Sequence, residues 1–208
     1  MMKKSLFITF EGGDGSGKST QINKAKEFLE AKGMNVLLTR EPGGSAIGEK
    51  IREIILDREN SEMHPVTEAM LYAASRAQHV QQVIKPALAK GITVICDRFV
   101  DSSIAYQGYG RGLGDTVTII NRYAVDDCMP DITFLMKLDP EVGKGRILPG
   151  QEDRLELEKL DFHQKVFWGY EQIEKTYPDR IVGVDASGSI EDVFGEIKKY
   201  LERLIDDK

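Results

Sequence analysis

The chain has 208 residues, which is enough for one domain with its own hydrophobic core. Its net charge of −6, without a block of Lys or Arg, argues against a nucleic-acid partner. Its two cysteines are too few for a disulfide framework and no apolar stretch is long enough to cross a bilayer, so we expect a cytoplasmic protein that does not associate with membranes.

Short β-rich runs alternate with helical patterns along the chain. We expect strands at residues 6–10, 35–39, 93–97, 132–138 and 180–184. We expect helices at residues 18–32, 46–56, 66–89, 116–127, 141–147, 154–177 and 190–205. The alternation predicts an α/β fold, with a five-stranded parallel sheet and helices on both faces, as one domain over residues 1–208. In such folds ligands bind at the carboxyl ends of the strands.

The first predicted strand leads into a G-x-x-x-x-G-K-S motif, and a predicted helix follows it. The motif comprises Gly12, Gly13, Asp14, Gly15, Ser16, Gly17, Lys18 and Ser19. Its glycines allow several backbone N–H groups to point at one anion, and the helix N-terminus adds its unpaired amides. Lys18 adds a positive charge for the terminal phosphates, and the Ser19 hydroxyl is the expected Mg²⁺ ligand. The motif predicts a three-layer P-loop NTPase fold that binds a nucleoside triphosphate with Mg²⁺.

Charged residues stand at this same edge of the predicted sheet. Arg40 and Glu41 follow the second strand, where charges that merely flank a Pro-Gly-Gly turn are the alternative. Asp97 ends the third strand and is the expected second support for Mg²⁺. Arg98 follows it and suggests that a second anionic group is clamped there, an ordinary ion pair being the alternative. Asp14 would repel phosphates that it faced, so we expect it to face Mg²⁺-bound water or a sugar hydroxyl, or to be solvated.

Two later segments carry groups suited to a nucleobase. Tyr72 and Arg76 are neighbours on a helix, where a ring can stack on a base and a guanidinium can donate to its carbonyl. A packed tyrosine with a solvated arginine is the alternative. Ser103, Tyr106 and Gln107 follow the third strand and offer neutral donors and acceptors. These groups suit a base better than a phosphate.

The helix over residues 66–89 also shows an apolar stripe, which we expect in the core. The stripe comprises Met70, Ala73, Ala77, Val80 and Ile84. His79 lies in the same helix, and we expect it at the surface or in a helix cap.

Arg146 and Arg154 flank a segment, residues 149–153, whose composition is typical of a mobile loop. A loop that carries arginines can close over transferring phosphates and neutralise the charge that develops on them. Solvated helix ends are the alternative. We therefore expect a short lid at about residues 144–154.

Six segments together resemble the bacterial thymidylate kinases across nearly the whole chain. They are FEGGDGSGKST (10–20), TREPGG (39–44), YAASRAQH (72–79), DRF (97–99), AYQG (105–108) and DRLE (153–156). The P-loop is common to many nucleotide enzymes, whereas the later segments in this order and spacing are more specific. The resemblance implies a homodimer that transfers the γ-phosphoryl group of ATP to the 5′-phosphate of dTMP, giving dTDP and ADP for dTTP synthesis.

The resemblance also implies roles for individual residues. It implies that ATP is bound by the P-loop motif together with Thr20. It implies catalytic roles for Lys18, Asp97, Arg98, Arg146 and Arg154, with Ser19 and Asp97 at Mg²⁺. It implies contacts to dTMP from Asp14, Arg40, Glu41, Tyr72, Arg76, Arg98, Ser103, Tyr106 and Gln107. Among these, Arg98 would hold the acceptor phosphate and Arg76 would read a thymine carbonyl.

The P-loop of this chain contains no arginine, although some members of the family carry one there. The charge that neutralises the transferring phosphoryl group must then come from the lid. We expect Arg146 to supply it in preference to Arg154.

Two other functions compete with this interpretation. A P-loop kinase with another acceptor, such as a deoxynucleoside, is the nearer one, although Arg98 and Arg40 favour an acceptor with its own phosphate. A GTP-dependent switch protein is the other. Such proteins usually read guanine with Asn-Lys-x-Asp, and the nearest match, residues 23–26 in the first predicted helix, lacks the aspartate.

Overall fold

One parallel sheet organises the molecule. Its strands are β1 (Phe7–Glu11), β2 (Val36–Arg40), β3 (Thr93–Asp97), β4 (Ile132–Lys137) and β5 (Ile181–Asp185). The computed structural model describes residues 5–146 and 153–206 and gives the strand order β2-β3-β1-β4-β5, with every neighbouring pair parallel. The predicted five-stranded parallel sheet is confirmed. Because β1 is central and buried throughout, the loop that follows it lies at the middle of the carboxyl edge.

Helices cover both faces of the sheet. They are α1 (Lys18–Ala31), α2 (Ala46–Leu56), α3 (Pro65–His79), α4 (Lys85–Ala89), α5 (Val100–Ser103), α6 (Asp115–Val125), α7 (Pro140–Lys144), α8 (Leu160–Thr176) and α9 (Ile190–Asp206). On one face the core contains residues of α1 and α9, among them Leu29 and Ile197. On the other face it contains residues of α8 and of the helical run that begins with α3, among them Tyr170 and Val80. The result is the three-layer arrangement that the sequence predicts.

Two predicted helices differ from the structure. The helix predicted at 66–89 is a continuous helical run in which a π-helical segment, Val80–Ile84, joins α3 to α4. The helix predicted at 154–177 begins only at Leu160. The Asp153 carboxylate accepts the N–H groups of Leu155 and Glu156 at 2.8 and 3.0 Å, and this holds a separate turn before α8.

The predicted core stripe of α3 was wrong at Met70, whose exposed fraction is 56%. The helix instead buries a polar face, because the buried side chains on α3 include Glu68, Arg76 and His79. His79 is 0% exposed, so its expected place at the surface was also wrong. Its ring nitrogens contact Glu41 at 3.0 Å and Thr39 at 2.7 Å.

Residues 147–152, the middle of the predicted lid, lie outside the described residues. In the part of the chain that is described, no helix combines the length and the apolar character needed to span a bilayer.

Candidate active site

The P-loop is held in shape by two glycines that pack against neighbouring backbone. Gly12 has a φ of +131°, and a Cβ atom there would lie 2.4 Å from the carbonyl oxygen of Met136. Gly15 has a φ of +73°, and its Cβ would lie 2.2 Å from the carbonyl oxygen of Gly143. Any side chain at either position would therefore distort the loop. Gly17, in the left-handed region, is the N-cap of α1 and brings the first amides of that helix to the loop.

Lys18 lies inside this curled loop. Its Nζ donates to the carbonyl oxygens of Gly12 at 3.1 Å and Gly13 at 3.0 Å, and the residue is 8% exposed. Burial, and then the nearby charge of Arg98, lower the pKa of Lys18 to about 8. The loop thus concentrates positive charge, and a bound anion would stabilise this charge.

A cavity of about 170 Å³ adjoins the P-loop at the carboxyl edge of the sheet. Its lining comes from segments far apart in sequence: Asp14, Glu41, Pro42, Arg52, Leu56, Tyr72, Arg98, Ser102, Tyr106, Gln107, Asp153, Leu155 and Glu156. Six of the predicted acceptor-binding residues, Asp14, Glu41, Tyr72, Arg98, Tyr106 and Gln107, are therefore brought together here.

Arg98 connects this cavity to the P-loop. Its φ of +66° lies in the left-handed region, an uncommon conformation for a residue other than glycine. Its Nη1 donates to the carbonyl oxygen of Gly12 at 3.0 Å, its Nη2 donates to the Asp14 carboxylate, and its guanidinium carbon lies 5.1 Å from the Tyr106 ring centroid. Burial opposes ionisation of Asp14, but the charges of Arg98 and Lys18 outweigh it and lower the pKa of that carboxyl. The Asp14 carboxylate thus faces the Arg98 guanidinium at the cavity.

Glu11, the last residue of β1, holds the segment that follows Arg98 through hydrogen bonds. This carboxylate is 0% exposed and accepts the N–H of Phe99 at 2.7 Å, the Ser102 hydroxyl at 2.5 Å and the Tyr170 hydroxyl at 2.8 Å. Burial, and then the charge of Asp101, raise the pKa of Glu11 to about 7. The turn after β3 is therefore held by a buried carboxylate whose ionisation is opposed.

Gln107 lines the cavity and has an unused hydrogen-bond acceptor. The residue is 1% exposed, and its Nε2 donates to Glu68 at 2.9 Å. Its Oε1 is buried and has no hydrogen-bond partner among the described residues. A buried amide oxygen without a partner is costly, so this atom indicates a place for a ligand donor.

Arg40 and Arg76 do not line the cavity, and their expected contacts to dTMP stay predictions. Arg40 is turned to the surface, where its guanidinium forms two hydrogen bonds of 2.8 and 3.0 Å with Glu49. Arg76 is 1% exposed, because its guanidinium donates to buried acceptors: Glu41 at 2.7 Å, Ser103 at 2.9 Å, the Phe99 carbonyl at 2.9 Å, and Asn121. It therefore braces Glu41 behind the cavity wall.

Ser103 and Arg154 are likewise occupied elsewhere. Ser103 accepts from Arg76, and the neighbouring Ser102 lines the cavity in its place. Arg154 is 7% exposed and donates to the Ile55 carbonyl oxygen at 2.8 Å and to Glu68 at 2.7 Å. Its charge is thus held on the side of the cavity, away from the P-loop.

Arg146 takes a different position. Its side chain is exposed, and Nη1 donates to the P-loop carbonyl oxygen of Gly15 at 3.2 Å. Between the two arginines that flank the predicted lid, only Arg146 contacts the P-loop in the part of the chain that is described.

The residues expected at Mg²⁺ are compatible with that ion. Asp97 Oδ1 is buried and lacks a hydrogen-bond partner within the described residues, and Ser19 is exposed in the first turn of α1. No three His, Cys, Asp or Glu side chains in the described ranges cluster closely enough to hold a metal by themselves. Such a sparse set of oxygen donors suits Mg²⁺, which keeps water and takes phosphate oxygens as ligands.

Sequence reasoning missed Arg52 and Glu68. Arg52 lies on α2, lines the cavity and donates to the carbonyl oxygen of Pro42 at 2.9 Å. Glu68 is a fully buried carboxylate on α3. No local pattern marks either residue, since each acquires its environment from segments distant in sequence.

A P-loop beside a cavity lined by arginine, tyrosine and glutamine side chains defines a P-loop kinase whose acceptor carries its own anionic group. Comparisons with known proteins agree. The thymidylate kinase family model matches residues 10–197. A thymidylate kinase of Lactobacillus delbrueckii subsp. bulgaricus is 54% identical over 204 residues, covering 96% of each chain. One of Halalkalibacterium halodurans is 47% identical over 206 residues, covering 97% of this chain and 98% of the relative.

A solved structure also agrees. The crystal structure of thymidylate kinase from Ehrlichia chaffeensis superposes with a TM-score of 0.78 at 36% identity, covering 95% of this chain and 98% of that one. The chain therefore belongs to the thymidylate kinase family. It is a nucleoside monophosphate kinase that phosphorylates dTMP, and neither another acceptor nor a GTP-dependent switch is favoured.

Proposed function

We propose that the P-loop holds the phosphates of ATP while the adjoining cavity holds dTMP, so that the γ-phosphoryl group passes directly to the 5′-phosphate of dTMP. The observation that carries this placement is the position of Arg98. It bonds the Gly12 carbonyl in the P-loop and the Asp14 carboxylate, and it lies against Tyr106 of the cavity. One cation thus contacts both sites, as alignment of two anionic ligands for in-line transfer requires.

We assign the acceptor phosphate to Arg98 and Arg52. Both line the cavity, and both retain N–H groups beyond those bonded to protein carbonyl oxygens. A planar guanidinium can clamp two phosphate oxygens at once, which fixes the direction of the attacking oxygen. Arg98 also holds Asp14, and this carboxylate is the acceptor that we assign to a sugar hydroxyl.

We assign the base to the part of the cavity formed by Tyr72 and Gln107. Tyr72 is 9% exposed and offers its ring as a wall for the planar base. The unpartnered Oε1 of Gln107 accepts the N3–H of thymine, the one donor on that edge of the base. Glu41 closes the same wall, held by Arg76 and His79.

On the donor side, Lys18 and the amides of the P-loop hold the ATP phosphates. The carbonyl contacts of Lys18 in Gly12 and Gly13 keep its ammonium inside the loop, so a γ-phosphate entering there meets a positioned charge. Arg146, which already contacts the loop at Gly15, neutralises the negative charge of the phosphoryl group during its transfer. The dTMP phosphate is itself anionic, so no strong general base is required.

Mg²⁺ would be held by Ser19 and Asp97 with phosphate oxygens of ATP. When bound, it supplies charge that screens the triphosphate from the incoming anion. The unpartnered Asp97 Oδ1 supports this assignment.

We further propose that the chain acts as a homodimer in the cytoplasm. Exposed apolar side chains on the packed helices α3 and α6 support a self-association face: Met70 is 56% exposed, Ile119 61% and Tyr123 82%. Only two cysteines are present, one of them buried in β3, which supports a reducing compartment.

The acceptor is tested by measuring ADP release from ATP and Mg²⁺ with thymidine, dTMP, dUMP, dCMP or dGMP supplied separately. We expect dTMP to give the highest kcat/KM, with ATP hydrolysis in the absence of any acceptor as the background. Fastest release with thymidine would contradict the proposed phosphate clamp, because thymidine brings no phosphate to Arg98.

A further inference from the structure

Behind the cavity, a buried carboxylate joins three side chains from two segments that are distant from it in sequence. Glu68 is 0% exposed. Its Oε2 accepts from Arg111 Nη2 at 3.0 Å and from Arg154 Nη2 at 2.7 Å. Its Oε1 accepts from Gln107 Nε2 at 2.9 Å and, at the longer distance of 3.3 Å, from Arg111 Nε. Oε2 thus has the two shortest arginine contacts, whereas the shortest contact of Oε1 is with the cavity amide.

This carboxylate is held in its ionised form. Burial alone would raise the pKa of Glu68, but hydrogen bonds from Arg111, Gln107 and Arg154 together outweigh burial and lower it. An ionised carboxylate accepts hydrogen bonds and has none to donate. Gln107 must therefore turn its NH₂ group towards Glu68.

Fixing one end of an amide fixes the other. With its NH₂ group towards Glu68, Gln107 can present only its carbonyl oxygen on its other side. That oxygen is buried without a partner in the described part of the chain, and the residue lines the cavity. A glutamine free to rotate would offer a donor or an acceptor equally well.

We propose that Glu68 is a positioning residue that selects the acceptor base, because it locks the Gln107 amide so that only a base donating at N3 is accepted. The inference rests on the proposed placement of dTMP in the cavity. Thymine carries a hydrogen at N3, whereas cytosine carries a lone pair there. A cytosine at this position would set two acceptors against each other, which is costly in a buried site.

The exchange Glu68→Gln provides a sharp test. Two arginine donors lie within 3.0 Å of Oε2, and one lies 3.3 Å from Oε1, so the new amide places its oxygen at the Oε2 position and its NH₂ group towards Gln107. Gln107 must then reverse and present its own NH₂ group to the base. We expect kcat/KM for dTMP to fall at least about tenfold and kcat/KM for dCMP to rise. A general loss of order in the cavity would lower both values, so a rise for dCMP distinguishes the reversed amide from such a loss.

Two further variants separate the possible outcomes. Glu158→Gln removes the same charge from a residue that binds Arg111 at 2.6 Å without contacting Gln107, and it should leave the dTMP to dCMP ratio unchanged. Gln107→Ala should lower the ratio without raising kcat/KM for dCMP. If Gln107→Ala leaves the ratio unchanged, the proposed base contact fails. If it lowers the ratio and a folded Glu68→Gln does not, the base contact stands and the role of Glu68 is overturned.

A measurement on the unaltered protein keeps the inference testable if Glu68→Gln does not fold. Neutron diffraction from crystals of the dTMP complex locates the deuterons of the Gln107 amide. We expect one of them between Nε2 and Glu68, with the carbonyl oxygen facing N3 of the base. A deuterated amide nitrogen facing the base would overturn the inference.

Discussion

The P-loop and the acceptor cavity lie side by side but are built in different ways. The P-loop is one continuous segment, shaped by glycines whose backbone packs against Met136 and Gly143. The cavity draws its walls from the P-loop, from α2 and α3, from the segment after β3, and from the turn before α8. What holds those walls is a set of buried carboxylates, Glu11, Glu41 and Glu68, each bonded to a different group of partners.

The difference separates two ways of binding an anion. The P-loop uses backbone amides, whose direction depends on the curvature that its glycines allow, together with the charge of Lys18. The cavity uses side chains whose direction is set by other side chains behind them. We therefore expect substitutions in the P-loop to affect catalysis steeply, and those behind the cavity to affect selectivity, pH dependence and affinity for dTMP.

The largest expected effect is that of Lys18→Ala in the P-loop. Removing the charge that meets the transferring phosphates should lower kcat by about 10³-fold, since such preorganised charges act in the transition state. Steady-state ADP release measures this, and Lys26→Ala on the same helix is the matched control. Near-normal turnover of a folded Lys18→Ala variant would disprove the assigned role.

The next effect is expected at the junction of the two regions. Arg98→Ala removes the clamp on the acceptor phosphate and leaves the Asp14 carboxylate beside it without its ion-pair partner. We expect kcat/KM for dTMP to fall by about 10²- to 10³-fold while binding of an ATP analogue changes little. Calorimetry with each ligand separates the two, and Arg203→Ala at the surface is the control. Equal weakening of both ligands would instead mean that the P-loop has collapsed.

The ionisation of Glu11, beside the cavity, makes the free energy of unfolding depend on pH. Its pKa is about 7 in the folded protein against 4.5 for an ordinary glutamate, so the folded state binds its proton more tightly and loses stability as pH rises through 7. Between pH 5.5 and 8 the linked loss is about 2 kcal/mol. Urea unfolding should show the free energy of unfolding of Glu11→Gln falling less than that of the unaltered protein over this range. Parallel pH profiles would contradict the buried-carboxylate account.

The smallest effect distinguishes Arg40, which the sequence predicts at dTMP, from Arg52, which it misses. Arg52 lines the cavity, whereas Arg40 is paired with Glu49 at the surface. We expect Arg52→Ala to raise KM for dTMP about tenfold and Arg40→Ala to change it less than about threefold, because exposed ion pairs contribute little. The reverse order would show that Arg40 leaves Glu49 when dTMP binds.

The sequence predicted the parts of the molecule that depend on local pattern. The parallel sheet follows from alternating strand and helix signals, and the P-loop from a contiguous motif whose glycines act through the backbone. Arg98 could be placed because it directly follows β3. Arg40, Arg76 and Arg154 could not be placed, because each is drawn to a carboxylate from a distant segment: Glu49, Glu41 and Glu68 respectively. The direction of a side chain in a charged network is a tertiary property, and local spacing does not contain it.

Direct phosphoryl transfer requires that two anionic ligands occupy the adjoining sites at the same time. Calorimetric titration of dTMP into protein already saturated with a non-hydrolysable ATP analogue and Mg²⁺ tests this directly. We predict that one dTMP binds per chain and that the analogue stays bound. Displacement of the analogue by dTMP, or no binding of dTMP in its presence, would contradict the account.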